Sequence, residues 1–268
     1  MKNKDVADIS QLQSGSDKDL FYQGHTSCAG CPAAIAIRNM LKATGPNIII
    51  SNATSCSEII SSCYPETSWG VPYIHVAFET AAAVASGIEA ALKKTKSSAK
   101  VIALAGDGGT FDIGFQSLSG MVDRGHDVLY ICYSNESYSN TGVQRSSATP
   151  YGAWTTTTPV GKFSIGNQRN PKPVAEMMAV QGAPYVATAS IGYLKDMERA
   201  RLAVETGMWV LYEIENGKLT INMEPKGKPV ADYLKAQGRF RHLAEKEISE
   251  IQRRVDEDWK GYKNRTEI

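Results

Sequence analysis

One stretch constrains the fold more than any other: KVIALAGDGGTFDIGFQSLSGMVDRGHDVLYICYSN, residues 100–135. Residues 100–105 form a continuous apolar run of strand length, the pattern of a strand covered on both faces of a parallel sheet. Residues 112–124 are amphipathic, with Ile113, Leu118, Met121 and Val122 on or near one helical face. Residues 127–133 then repeat the buried-strand pattern. Such a strand–helix–strand crossover makes the two strands parallel, so both end on one sheet edge. Asp107 follows the first strand and Asn135 the second, at the edge where open α/β sheets bind ligands.

A carboxylate and an amide oxygen at that edge are hard donors. They suit Mg²⁺ or Ca²⁺ held together with phosphate oxygens. Gly106, Gly108 and Gly109 let backbone approach a phosphate, and the start of the following helix favours its charge. Asp-Gly alone is common in plain turns. The second donor on the same edge, followed by a polar loop at 134–150, favours the ligand site.

The rest of the chain continues the alternation. Helices are predicted at 33–44, with Pro32 in the first turn, at 80–94, 173–180 and 197–205, and strands at 47–51, 185–189 and 209–214. Residues 52–58 read as a loop, 61–72 as irregular chain, and 134–171 as a long Ser/Thr/Asn/Gly/Pro loop, a length that usually serves function. The predicted class is α/β, a mainly parallel sheet flanked by helices. Residues 1–20 read as an N-terminal arm, 21–225 as the main domain and 226–268 as a charged helical tail.

Composition matters here for what it excludes. With 42% hydrophobic and 21% charged residues the chain can bury a core, and a net charge of +1 gives no footprint for nucleic acid or a membrane surface. The polar N-terminus lacks a secretory apolar core and no long apolar run follows, which predicts a cytoplasmic protein.

Cys28, Cys31, Cys56, Cys63 and Cys132 are an odd number, a poor disulfide set for a reducing compartment. Cys28-x-x-Cys31 with Cys56 brings three soft thiolates from two loops, which suit zinc or an iron–sulfur cluster. A redox pair or an incidental buried pair fits Cys-x-x-Cys as well. Cys132, inside an apolar strand, reads as a core residue. Cys63 is a weaker substitute ligand.

The segment GDGGTFDIGFQSLSGMVDRGHDVLYICYSNESYSNTGVQRSSATP resembles the thiamine-diphosphate motif of the β subunits of 2-oxoacid:ferredoxin oxidoreductases. GHTSCAGC, SNATSCSEI, YPETSWGVPYIHVAFETAAAVASGIEAAL and KPVADYLKAQGRF are similar to the same family, most of all its pyruvate type, over about residues 20–245. The resemblance implies a thiamine-diphosphate-binding fold and the CoA-dependent oxidative decarboxylation of pyruvate, with electrons passed through a [4Fe–4S] cluster to ferredoxin. It implies α, γ and δ partner subunits. It gives Mg²⁺ to Asp107, Asn135 and the backbone carbonyl of Ser137, and diphosphate contacts to Gly106, Gly108 and Gly109. Asn140 would face thiazolium and substrate as the catalytic residue, with Thr141 beside it. Cys28, Cys31 and Cys56 match three cluster ligands, and the Cys56 loop would lie beside the diphosphate. The family's fourth cysteine belongs to a late stretch with a further strand. Here SIGYLKD runs straight into MERARLAVETGMW, and no cysteine follows Cys132.

Thiamine also needs a carboxylate opposite its aminopyrimidine ring. Glu58, Glu79 and Glu136 are near in sequence without distinguishing context, and the resemblance assigns that carboxylate to the α subunit. His75 and His25 read as structural, His126 and His242 as surface residues. Three alternatives stay open: the same reaction on a branched-chain acid or 2-oxoglutarate, a non-oxidative thiamine decarboxylase, or an inactive assembly subunit that kept the fold.

Overall fold

The computed structural model describes residues 19–191 and 206–265. Most of the expected N-terminal arm, the expected helix at 197–205 and the junction between SIGYLKD and MERARL lie outside the described residues. The chain divides into two compact units, Met1–Asn135 and Glu136–Ile268.

The first unit holds a four-stranded parallel sheet: β1 (Ile48–Ala53), β2 (Tyr73–Val76), β3 (Lys100–Gly106) and β4 (Val128–Tyr133), in the order β2-β1-β3-β4. The side-chain period of two sorts its core. Ile102 and Leu104 of β3 pack with Ile48 and Ile50 of β1 and with Ala34, Ile37 and Leu41 of α1 (Ala33–Thr44). Val101, Ala103 and Ala105 pack instead with Ala81 and Ala85 of α3 (Ala81–Thr95), where small residues let helix and sheet approach closely. Helix α1 stops at Gly45, whose φ of 71° and N–H bond to the Leu41 carbonyl close its end.

Three features differ from the sequence reading. Tyr73–Val76, left without an assignment in the sequence, is a strand that begins directly after Pro72. Residues 56–58, expected as loop, open a short helix, α2 (Cys56–Ser61), entered from extended Ser55. Strand β4, expected to be covered on both faces, pairs among the described residues only with β3, and Leu129 is 50% exposed.

The second unit opens with the long polar loop, which carries a small hairpin of β5 (Val160–Gly161) and β6 (Ser164–Ile165). Helix α5 (Val174–Val180) precedes an antiparallel sheet of β7 (Tyr185–Ala187), β8 (Leu211–Glu215) and β9 (Lys218–Met223). The β8–β9 turn is Asn216-Gly217, both at positive φ, the chemistry of a tight hairpin. Helices α6 (Val230–Lys235) and α7 (Glu245–Asn264) complete the unit, with Val230, Tyr233, Leu234, Phe240 and Ile251 in one core. The charged C-terminal region is thus helical as expected, and α7 buries Ile251 and Trp259.

Two histidines read as surface residues are structural. His126 Nδ1 lies 2.8 Å from the buried Glu89 carboxylate, which Lys93 also pairs. His242 Nε2 lies 2.8 Å from the Ile165 carbonyl oxygen and 3.1 Å from that of Gly152.

Candidate active site

In the first unit the carboxyl end of β3 leads directly into a π-helical turn, Gly108–Ile113, followed by α4 (Phe115–Asp123). Wide turns of this kind inside helices concentrate at functional sites. Every residue from 101 to 110 is buried, and Asp107 is only 2% exposed. A carboxylate held that far from water calls for compensating donors or a cation.

The glycines are there for close approach. A Cβ on Gly109 would stand 3.1 Å from the Phe78 carbonyl oxygen, and one on Gly114 only 2.1 Å from the Gly109 carbonyl oxygen. Buried Thr110 ties the turn to the strands: its hydroxyl donates to the Gly106 carbonyl at 2.8 Å and meets the Tyr130 hydroxyl at 3.1 Å. Burial pushes the Tyr130 phenol well above its ordinary value. The sequence reading missed the turn, because Gly-Gly-Thr-Phe carries no apolar period.

Beyond β4, the Asn135 amide reaches the Cys56 sulfur at 3.8 Å. A predicted Mg²⁺ ligand and a predicted cluster ligand therefore meet within one unit. The start of α2 is fixed from below. The Ser57 N–H donates to the Tyr133 hydroxyl at 3.0 Å, and the Ser57 hydroxyl donates to buried Asn52 at 3.0 Å. Asn52 and Tyr133 went unremarked in the sequence, where each looks like an ordinary strand residue.

Cys28 and Cys31 share a turn, with the Cys31 N–H on the Cys28 carbonyl at 2.9 Å, and Cys28 is exposed. Among the described residues no group of three or more His, Cys, Asp or Glu side chains is gathered to hold a metal ion. Cys63 is exposed, 3.7 Å from the Thr26 hydroxyl. Burial raises the Cys132 thiol to about 12, which suits an inert core cysteine better than a ligand.

In the second unit residues 138–144 fold back as a tight turn. Tyr138 N–H donates to the Gln144 carbonyl at 2.9 Å and Val143 N–H to the Tyr138 carbonyl at 3.0 Å. Asn140 is exposed at its tip. Thr141 is exposed as well but engaged: its hydroxyl donates to the Gln144 side-chain oxygen at 2.6 Å, so it shapes the turn. Ser137 is 7% exposed, with its hydroxyl 2.6 Å from that of Ser139. The loop behind is organised by Asn167, 1% exposed, whose amide nitrogen meets the carbonyls of Thr149, Pro150 and Arg169 at 2.7, 3.0 and 2.8 Å.

Two of the three candidate carboxylates are engaged. Glu136 is ion-paired with Arg239, and Glu58 lies 3.8 Å from His75. His75 also meets the Thr54 hydroxyl at 2.7 Å, a structural role. Glu79 is exposed.

The donor chemistry at the β3 end fits a Mg²⁺–diphosphate group. Asp107 is a buried carboxylate at a strand end, Asn135 is an amide, and the glycines are close-packed backbone. Cys28, Cys31 and Cys56 supply three soft thiolates of the kind that suit an iron–sulfur cluster, one short of four.

Residues 52–212 match the family model of the thiamine pyrophosphate enzyme, C-terminal TPP binding domain. Fold and site together define a thiamine pyrophosphate enzyme. The chain is 48% identical over 276 residues to pyruvate synthase subunit PorB of Methanothermobacter thermautotrophicus, covering 90% of this chain and 96% of that one. It is 44% identical over 308 residues to PorB of Pyrococcus horikoshii, covering 91% and 93%. Ketoisovalerate oxidoreductase subunit VorB of Pyrococcus abyssi is 42% identical over 291 residues, covering 92% and 94%. The fold is also similar to a solved 2-oxoglutarate:ferredoxin oxidoreductase from Magnetococcus marinus, at a TM-score of 0.51 and 24% identity. That likeness covers 70% of this chain and 60% of the other. The chain belongs to the family of 2-oxoacid:ferredoxin oxidoreductase β subunits, the thiamine pyrophosphate enzymes that include PorB and VorB.

Proposed function

We propose that this chain is the thiamine-diphosphate subunit of a pyruvate:ferredoxin oxidoreductase, working with α, γ and δ subunits. Pyruvate and CoA would give acetyl-CoA and CO₂, with the electron pair leaving to ferredoxin. What carries this reading is near full-length similarity to PorB subunits, joined to the buried Asp107 at a β3 end of the right chemistry. The main domain would run over residues 21–225.

When bound, thiamine diphosphate supplies stabilisation of the carbanion, and the protein supplies binding and orientation. Asp107, Asn135 and the Ser137 carbonyl would hold Mg²⁺. Hard oxygen donors of this kind, with the phosphate oxygens, satisfy that ion. Backbone at Gly106, Gly108 and Gly109 would meet the diphosphate, with water excluded by the packing over residues 101–110. Asn140, at its exposed turn tip, would face the reacting part of the substrate, with Thr141 holding the turn. The family resemblance assigns the carboxylate opposite the aminopyrimidine to the α subunit.

Cys28, Cys31 and Cys56 would contribute to a [4Fe–4S] cluster in the assembled complex. That part rests on the resemblance alone. A cluster with three protein thiolates would be labile, and Cys28→Ala should lower the iron bound after anaerobic reconstitution. Equal iron with an unchanged reduced spectrum would reject the assignment.

The test of function is the reconstituted complex assayed for CoA-dependent ferredoxin reduction with pyruvate, ketoisovalerate and 2-oxoglutarate. The highest kcat/KM is expected with pyruvate. A preference for ketoisovalerate, the reading favoured by the VorB likeness, would replace it. No reduction with any oxoacid, with thiamine diphosphate bound normally, would identify an assembly subunit instead.

A further inference from the structure

We propose that Arg239 is a positioning residue for the metal-binding corner. Through Glu136 it would hold the backbone direction of the segment that carries Asn135 and Ser137. The inference rests on the thiamine-diphosphate reading above and extends it to a residue far along the chain.

Glu136 stands between the two predicted metal ligands in sequence, at a φ of 65°. A non-glycine residue in the left-handed region persists only where its surroundings hold it there. Two holds are visible. The Glu136 carbonyl accepts the hydroxyl of fully buried Thr149 at 2.7 Å, and the Glu136 carboxylate is paired with the Arg239 guanidinium. Both side chains are largely buried, at 21% exposure for Arg239 and 18% for Glu136.

Arg239 is itself well fixed. Its carbonyl accepts the Trp154 N–H at 3.0 Å, and its guanidinium lies 5.2 Å from the Phe240 ring centroid. Its Nε is buried and has no hydrogen-bond partner among the described residues. A pair chosen for stability alone would not leave a donor stranded, and buried ion pairs can often be replaced by apolar residues without loss of stability. The pair instead secures a strained backbone next to a ligand carbonyl, the task of groups that orient metal ligands from behind. Residues 228–240 belong to KPVADYLKAQGRF, a motif the chemistry above leaves unused.

The test uses the full chain in complex with its partner subunits. Arg239→Met, Arg239→Lys, Glu136→Gln, Glu136→Gly and the double variant Glu136→Gln/Arg239→Met are compared. Calorimetry gives thiamine diphosphate affinity across a Mg²⁺ series, and the melting temperature is taken without cofactor. Arg239→Met is expected to weaken Mg²⁺-dependent affinity roughly tenfold or more, the usual scale for groups behind metal ligands. Its cofactor-free melting temperature should stay near wild type. The double variant should be no weaker than the single one, and Arg239→Lys should recover part of the loss. Glu136→Gly suits the left-handed backbone, so it should stay folded yet bind weakly. It carries the test if Arg239→Met does not fold. Wild-type affinity in Arg239→Met and Glu136→Gly at every Mg²⁺ concentration would overturn the inference. So would an affinity loss that merely tracks the melting temperature. A wild-type complex that fails to bind the cofactor would instead overturn the underlying reading.

Discussion

The two regions that supply the predicted cofactor ligands are built in opposite ways. The β3–turn–α4–β4 segment of the first unit is held by apolar packing. Residues 101–106 are buried in two side-chain layers, and the turn is clamped by backbone too close for a side chain. The loop at 136–167 of the second unit packs only Ala153 and Tyr151 into the apolar core of Val230, Tyr233 and Phe240. It is held by single buried polar groups, Asn167 and the Arg239–Glu136 pair. A packed segment tolerates polar loss and fails on added volume. A polar-pinned loop does the reverse.

Volume should therefore break the first region. Gly114→Ala would press a methyl against the Gly109 carbonyl, and should destabilise by about 3 kcal/mol, the upper end of what overpacking usually costs. Denaturant unfolding would show it as a large drop in midpoint. A midpoint within error of wild type would mean the turn can relax and the packed description is wrong. Polar loss should loosen the second region. Asn167→Ala removes an amide that meets three carbonyls, and should cost about 2–3 kcal/mol. Hydrogen exchange should rise over 149–169 and stay unchanged over 101–110.

These regions differ just as much in what their sequences disclose. Helix α1 falls on residues 33–44 as predicted, and β3 and β4 start and end within a residue of expectation. Apolar patterning is a local signal that all three segments carry, and α1 and β3 also end at a glycine. The π-helical turn carries none, since its geometry answers to the close contact between Gly109 and Gly114 rather than to a pattern. Asn216-Gly217 followed by the alternating KLTINM is a hairpin and strand signal that the sequence does carry, although no strand was expected there. Arg239 and Asn167 act across long sequence separations, which no local pattern reports. Asp107 and Asn135 were legible because one crossover fixes both. Asn140 and Ser137 were reachable only through family resemblance.

An acid titration offers a finer comparison. Glu89 in the first unit is held at about 2, from an ordinary 4.5, by hydrogen bonds from Lys93 and then His126, against the opposing effect of burial. A lowered folded value means its stabilisation is present above about pH 4.5 and is lost as pH falls toward 2. The loss should be on the order of 1–2 kcal/mol, and Glu89→Gln should flatten that part of the stability profile. An unchanged profile in the variant would remove Glu89 from the account. The smallest expected signal is chemical. Iodoacetamide at about pH 8 should label exposed Cys28 and Cys63 and leave Cys132 unmodified, because its thiol stays protonated. Labelling of Cys132 in the folded protein would show that β4 opens.

The central claim is that the buried carboxylate at the end of β3 holds the Mg²⁺ that binds the diphosphate. Calorimetric titration of thiamine diphosphate into the wild-type and Asp107→Ala complexes, at saturating Mg²⁺, tests it most directly. Clear Mg²⁺-dependent binding is expected for wild type and none measurable for Asp107→Ala, with the melting temperature of the cofactor-free variant preserved. Wild-type affinity in Asp107→Ala would contradict it.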